Sequence, residues 1–306
     1  MKDSRKTVTI DNKKIGDGFE VKFTAELGVN HLGDFDRAKN MIKSAVDGGS
    51  DFLKFQTYVA EKRYDEKTNP KAKEFIKNLK SWEFDRVKDK ELWDYAKDLG
   101  ASVFTSPFDI SSLEFAEKMN SVAYKIAAFE VNNHELIREI SSTKKPIVIS
   151  RGMCSFEEMD KVVNIFHKYG SEYIILHTIS SYPTKKFDSN LKMIHTLRER
   201  YECPIGHSDH TRGTEVPPLA VAAGANMIEK HFTINPKLRE SDNPFSIDPE
   251  ELEELIFKIK KANRIMGRGD IEKIPTEDYM FSFRRKTKWT QYFLEQKVVS
   301  LRVGVM

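Results

Sequence analysis

Between residues 21 and 264 the chain alternates short runs rich in β-branched and aromatic residues with longer runs of helical apolar spacing, eight of each. This alternation limits the fold more than any other feature. A strand, a helix and a further strand of the same sheet make a parallel pair with a crossover, and eight such units favour a closed α/β barrel over an open doubly wound sheet. The strand candidates are residues 21–28, 51–57, 101–106, 121–127, 146–150, 173–178, 204–208 and 226–233. Helices are expected to start near Phe35, Asp89, Ser111, Asn133, Phe156, Asn190, Glu215 and Pro249. Two starts carry clear caps: Ser155 before Phe156-Glu157-Glu158, and Asp248 before Pro249-Glu250-Glu251.

The rest of the chain is assigned around that core. Residues 7–13 and 15–22 predict a hairpin turning near Asp11-Asn12 and covering the barrel bottom, so that 1–20 is an N-terminal cover, 21–266 the (β/α)8 TIM barrel and 267–306 a tail. Residues 298–303 have strand character suited to pairing with another subunit. Between Gln56 and Asp89 runs a long charged stretch with little apolar periodicity, and a loop of that length at a strand end is read as a lid. With a net charge of +3 and both signs interspersed, the chain lacks the basic stripe of a nucleic-acid binder. No apolar stretch approaches the roughly 18 residues of a membrane span, and the N-terminus lacks a signal-like apolar core, so a cytoplasmic protein is expected. Cys154 and Cys203 have no C-x-x-C partner and read as small buried thiols.

Charged and polar residues gather where a barrel's strands should end: Glu26, Lys54, Gln56, Lys125, Ser150, His177, Ser208, and the run Glu229-Lys230-His231. Any one of them could be an interior ion pair that orients its neighbours. Burying the whole set costs several kcal/mol per group unless the groups are paired or meet a ligand, so a polar active site at the C-terminal mouth is the more economical account. Lysines at three strand ends suit a phosphate or carboxylate, although Lys125 also reads as a Schiff-base lysine. Ser106, Ser150, Ser180 and Ser208 add hydroxyl donors. His210 and His231 follow consecutive strands and could converge at metal-ligand distance; spacing alone leaves a divalent metal and a structural pair as alternatives.

Several stretches, in order along the barrel, resemble the sialic acid synthases, which condense phosphoenolpyruvate with an N-acyl aldohexose. They include Ala25-Glu26-Leu27-Gly28-Val29-Asn30-His31, Leu53-Lys54-Phe55-Gln56-Thr57, Tyr124-Lys125-Ile126-Ala127, Ser150-Arg151-Gly152-Met153, Ser208-Asp209-His210-Thr211 and Glu229-Lys230-His231-Phe232-Thr233. The resemblance implies a metal, usually manganese with magnesium or cobalt as alternatives, held by His210 and His231. It implies phosphoenolpyruvate among Lys54, Ser106, Lys125, Ser150, Ser180 and Ser208, and the sugar facing Gln56, Tyr182, Asp242 and Phe245. Glu26 and Glu130 would stand near the reacting atoms, with Glu130 the candidate to handle water, and the working unit would be a homodimer.

Departures from the family pattern are also visible. Ala128 stands where a serine is common and so removes one phosphate ligand, Arg151 replaces a threonine with a positive charge that could compensate, and Ser180 stands where an asparagine is common in some members. His207 is expected to be structural, with Asp209 an orienting group. Family members usually continue into a C-terminal antifreeze-like domain, and this sequence stops where it would begin. The leading expectation is therefore a metal-dependent, phosphoenolpyruvate-condensing synthase. A synthase for another aldose and a non-catalytic barrel that binds a sugar phosphate are the alternatives.

Overall fold

The computed structural model describes residues 7–64, 72–267, 269, 274–281 and 283–285. The chain divides into two compact units, Met1–Gly267 and Arg268–Met306. In the first, strands β1 (Val8–Ile10) and β2 (Lys13–Ile15) form an antiparallel hairpin. Its turn residues Asp11 and Asn12 have φ of 45° and 62°, the left-handed pair that a two-residue hairpin turn requires. The strands are shorter than the expected 7–13 and 15–22, because the chain leaves the ladder after Ile15 at Gly16.

Eight parallel strands then close a barrel: β3 (Lys22–Glu26), β4 (Phe52–Thr57), β5 (Val103–Pro107), β6 (Tyr124–Ile126), β7 (Ile147–Arg151), β8 (Tyr173–Thr178), β9 (Ile205–Asp209) and β10 (Met227–His231), with β10 pairing back onto β3. The expected eight-unit α/β barrel is the observed fold. Around it run α1 (Phe35–Asp47), α2 (Ala60–Arg63), α3 (Ala72–Trp82), α4 (Arg86–Asp98), α5 (Ile110–Lys118), α6 (His134–Ser142), α7 (Phe156–Tyr169), α8 (Lys192–Arg200), α9 (Val216–Ala222) and α10 (Pro249–Met266). In the second unit the described residues include a short helix, α11 (Asp278–Phe281); residues 298–303, expected as a strand, lie outside the described residues.

Helix starts follow the caps. Ser155 and Asp248 each form a reciprocal capping box, with Glu158 and Glu251 respectively. The helix expected near Asp89 begins instead at Arg86, because the Asp85 carboxylate accepts from the backbone N–H groups of Val87 and Lys88. The stretch before it is not the loop that its charge suggested. It carries α2 and α3, and α3 buries Ala72, Ile76 and Leu79 at helical spacing. That stripe is narrow and is flanked by Lys73, Glu74, Lys77 and Lys80, which masks the period.

Strand parity sorts the interior from the exterior. Outward residues such as Phe23, Leu53, Ile126, Ile149, Ile175 and Ile228 pack under the helices. Inward residues Phe52, Phe104, Val148, Ile174, Leu176 and Met227 fill the lower barrel, where Val8, Ile10 and Ile15 of the hairpin close it. Burying each such side chain contributes about 1.5–3 kcal/mol, so the hairpin is part of the core and not an appendage. Gly206 belongs to this packed region by necessity. A β-carbon there would stand 2.5 Å from both Leu176 Cδ2 and the Met227 carbonyl oxygen, and the latter is backbone of the adjacent strand.

Gly206→Ala should therefore destabilise the barrel by about 1–3 kcal/mol through overpacking, read as a lower urea midpoint with unchanged slope. An unaltered midpoint would show that the layer yields to a methyl group.

Candidate active site

Above the apolar layer the inward positions turn polar, and the barrel opens into a cavity of about 580 Å³. Its floor is a buried ion cluster. The Lys54 ammonium lies 2.8 Å from Glu26 Oε2 and 2.9 Å from Glu229 Oε2, and Lys125 lies 3.5 Å from Glu229 Oε1. Ser208 donates to Glu229 at 2.9 Å, and Gln56 donates to Glu26 at 2.8 Å. Burial pulls the Lys54 ammonium down to about 7 against the attraction of Glu229. Burial pushes the Glu229 carboxyl up, but Lys125 and Lys54 more than reverse this and hold it well below the usual carboxylate range. Ser106, Ser150 and Thr178 place hydroxyls on the same wall.

His210 and His231 face each other beside this floor, with ring centroids 5.5 Å apart. His210 Nδ1 lies 2.8 Å from the Ile179 carbonyl oxygen, to which it must donate, so the other ring nitrogen carries the lone pair. Burial lowers His210 to about 4 and pushes His231 well below its ordinary value, so both rings are neutral. His231 Nδ1 is buried without a hydrogen-bond partner, 3.3 Å from Asp242 Oδ2. Burial raises the Asp242 carboxyl to about 6, with Arg63 and Lys54 acting against it.

The loop carrying Asp242 is fixed through the asparagine of the first-strand motif. Asn30 donates to the Phe232 carbonyl at 2.9 Å and to Ser246 Oγ at 2.8 Å, and Asn243 reaches back to the Asn30 carbonyl at 3.4 Å. Phe245 leaves the cavity wall and packs its ring against His231 and Tyr182, with centroids 5.4 and 5.8 Å away. The neighbouring His31 is structural. Its ring stacks on Phe84, Nδ1 accepts from the Gly33 N–H at 3.1 Å, and burial lowers it to about 4.

Of the residues singled out from sequence, Glu26, Lys54, Gln56, Ser106, Lys125 and Ser150 line the cavity, as do Tyr182, Ser208, His210, His231 and Asp242. Several others do not. Ser180 lies beyond the end of β8, with its hydroxyl 2.8 Å from where a β-carbon at Gly152 would be, and Thr178 takes the wall position. Glu130 borders the cavity through Ala128 and Phe129, but its carboxyl accepts from Asn133 at 2.8 Å and is raised by burial. Lys230, counted among three strand-end lysines, points outward, as strand parity requires between Glu229 and His231. It donates to Asp209 and to the Thr211 carbonyl. Asp209 thereby finds the partner that the sequence left unnamed, and His207, also outward, lies 3.7 Å from it. His177 stacks on His207 behind the barrel, not above it. Arg151 does not compensate for the hydroxyl absent at Ala128, because parity turns it outward over the ring of Phe156 at 4.9 Å.

Three contributions were missed. Glu229, which shares a face with His231, is the hub of the floor rather than one strand-end charge among many. Arg63 of α2 lines the wall, donating to Gln56 at 3.1 Å. Phe75, Leu79 and Trp82 bring an apolar face to the cavity from the region read as a loop.

A sequence model of the NeuB family matches residues 41–271. The chain belongs to the NeuB family. It is 35% identical to N,N'-diacetyllegionaminic acid synthase of Legionella pneumophila, covering 83% of this chain and 75% of that one. It is 31% identical to N-acetylneuraminate-9-phosphate synthase of Mus musculus, covering 83% and 73%. It superposes with a TM-score of 0.87, at 34% identity and covering 93% and 98%, on the N-acetylneuraminic acid (sialic acid) synthetase of Leptospira borgpetersenii solved with citrate. This NeuB chain is accordingly an enzyme of the synthase kind, and no helix among the described residues is long and apolar enough to cross a membrane.

Two outcomes test the supports of the site. Lys230→Met leaves the Asp209 carboxylate buried and uncompensated and should cost about 3–5 kcal/mol in chemical denaturation; a loss below about 1 kcal/mol would show that water reaches the pair. His31 is held neutral, so the unfolded chain takes up its proton near 6.5 while the folded chain resists to about 4, and stability falls as pH drops through that window. His31→Gln, which keeps an acceptor, should lose less Tm than the parent between pH 7 and 5; equal losses would remove His31 from the account.

Proposed function

We propose that this NeuB-family enzyme condenses phosphoenolpyruvate with the open-chain form of an N-acyl hexosamine of the N-acetylmannosamine type, giving a nonulosonic acid of the sialic class and phosphate. The observation that carries the reading is the floor itself: Lys54 and Lys125 clasped on Glu229, ringed by hydroxyls, beside two neutral imidazoles. The names of the Legionella and mouse relatives support the same class of product.

Both substrates bring distinct demands. Phosphoenolpyruvate carries a carboxylate and a phosphate, which Lys54, Lys125, Ser106, Ser150 and Ser208 would receive; an incoming anion favours the charged form of Lys54, which burial, opposed by Glu229, brings down to about 7. Glu229 keeps both ammonium groups in place before the anion arrives, so little reorganisation accompanies binding. Carbon 3 of phosphoenolpyruvate attacks the aldehyde, and the resulting oxyanion must be stabilised. Gln56, Tyr182 and Asp242 would hold the sugar chain so that its carbonyl carbon stays within reach of that carbon. Water then adds to the oxocarbenium-like carbon 2, with Glu26, which lines the cavity, in position to orient it and accept its proton. Phosphate departs with cleavage of its bond to carbon 2.

The residues present fit a divalent metal. His210 and His231 are neutral, His210 is fixed with one nitrogen free, and His231 Nδ1 is buried without a hydrogen-bond partner. Among the described residues no group of three or more histidine, cysteine or acidic side chains is arranged to hold a metal ion, so water and substrate would have to complete the coordination. His210 and His231 would hold the ion, with manganese the expected one, and when bound it supplies Lewis-acid polarisation of the acceptor carbonyl.

Phosphate release from phosphoenolpyruvate is expected only when an acylated mannosamine-type aldose and Mn²⁺ are both supplied, and a chelator should abolish it. His231→Ala should lose that turnover while keeping its circular dichroism spectrum. No release with any aldose would sink the synthase reading, and full rates in chelator or in the variant would remove the metal from it.

A further inference from the structure

Asn30 is fully buried, and its Oδ1 has no hydrogen-bond partner. An unmet buried acceptor costs about 1–3 kcal/mol, so an amide is a poor choice for packing alone. Its Nδ2 spends both hydrogens across the seam where β10 closes on β3, on the Phe232 carbonyl at 2.9 Å and on Ser246 Oγ at 2.8 Å. Ser246 passes the second bond on. Its hydroxyl donates to the Asp242 carbonyl at 2.7 Å, and its backbone N–H donates to the same oxygen at 3.1 Å. A hydroxyl that accepts from Asn30 while donating to Asp242 has its hydrogen committed, and each bond polarises the next. At the end of this chain the Asp242 carboxylate stands 3.3 Å from His231 Nδ1, and Phe245 of the same loop lies against the His231 ring. The turn that carries Asn30 is itself held close to the site: a β-carbon on Gly28 would lie 3.1 Å from Glu26 Oε1 and 3.3 Å from Gln56 Nε2.

We infer that Asn30 is a positioning residue of the reaction: through Ser246 it fixes Asp242 beside His231, and so sets the acceptor half of the site without touching either substrate. This rests on the condensation reading above, in which Asp242 holds the sugar. The anion half is built otherwise. Lys54, Lys125 and Ser208 are held by Glu229 inside the barrel, and among the described residues Asn30 bonds to none of them. Loss of the Asn30–Ser246 bond therefore loosens Asp242 and leaves the lysines where they are. The loop stays attached in either case, because the Ile247 N–H donates to the His231 carbonyl at 2.9 Å and the Thr233 N–H to the Ile247 carbonyl at 2.9 Å. What changes is the aim of one carboxylate, and a shift of about 1 Å in a group that holds a substrate costs as much as about 100-fold in rate.

Steady-state phosphate release with N-acetylmannosamine, phosphoenolpyruvate and Mn²⁺ tests the inference in the parent chain, Asn30→Ala, Ser246→Ala and the double variant. Each single variant should raise the KM for the aldose about 10- to 100-fold, with the KM for phosphoenolpyruvate and kcat at saturating aldose within about threefold. The double variant should be no worse than the poorer single one by more than about threefold, because both substitutions break the same contact. A residue that only supported the fold would lower Tm and the active fraction, and so kcat, while leaving both KM values alone. Should Asn30→Ala fail to fold, Ser246→Ala carries the test, since it removes the far hydroxyl and keeps the Asn30–Phe232 bond. An unchanged aldose KM in either folded variant, equal rises in both KM values, or effects that multiply in the double variant overturn the inference. If no aldose gives turnover in the parent, the condensation reading falls by itself, and crystal structures of the parent and Ser246→Ala decide the positioning. An Asp242 carboxylate displaced from His231 by about 1 Å or more upholds it, and one that has not moved overturns it.

Discussion

The buried contact of Glu229 with Lys54 and Lys125 is the constraint on which the upper half of the barrel depends. The strands of a closed parallel barrel shield these inward charges from bulk solvent, so each is costly unless an opposite charge lies a few ångströms away. The carboxylate on β10 meets the ammonium groups of β4 and β6, which belong to non-adjacent strands, so the pairing ties together parts of the barrel that share no hydrogen-bond ladder. Glu26 on β3 completes the cluster through Lys54. Such an arrangement is a poor source of stability, because desolvation offsets most of the attraction; what it contributes is a fixed set of donors at the mouth.

The outer side of the same strands solves a parallel problem. Asp209 and Lys230 flank the two histidines in sequence, alternate with the inward residues of β9 and β10, and satisfy each other behind the barrel. His210 and His231 are thus presented by strand ends pinned from the rear, while Asn30 staples the loop that carries Asp242. The lower barrel needs none of this. There the inward positions are apolar, and the β1–β2 hairpin supplies the side chains that fill the remaining opening.

Much of this was legible in the chain. Short β-rich runs separated by helical intervals gave eight units, and the polar residues at strand ends located the mouth. The errors share a cause. Lys230 and His177 were grouped with the site because they sit at strand ends, and Arg151 was expected to lend it charge, yet a strand places consecutive side chains on opposite faces, and only the parity of the whole barrel says which face each takes. Helix α3 was hidden because its buried stripe is three residues wide among lysines and acids. The role of Arg63 had no local signal at all, since a basic residue in a charged stretch reads as a solvated one.

By itself, then, the sequence determined the barrel, its caps and the polarity of its mouth, and offered His210 and His231 as candidates to converge, because these depend on local period and on residue chemistry. The tertiary structure alone decided that Glu229 is the hub of the floor, that Lys230 serves Asp209, and that α2 and α3 wall the cavity with one arginine and an apolar face. Those are distances between residues far apart in the chain, fixed by barrel closure and by packing, and no local pattern encodes them.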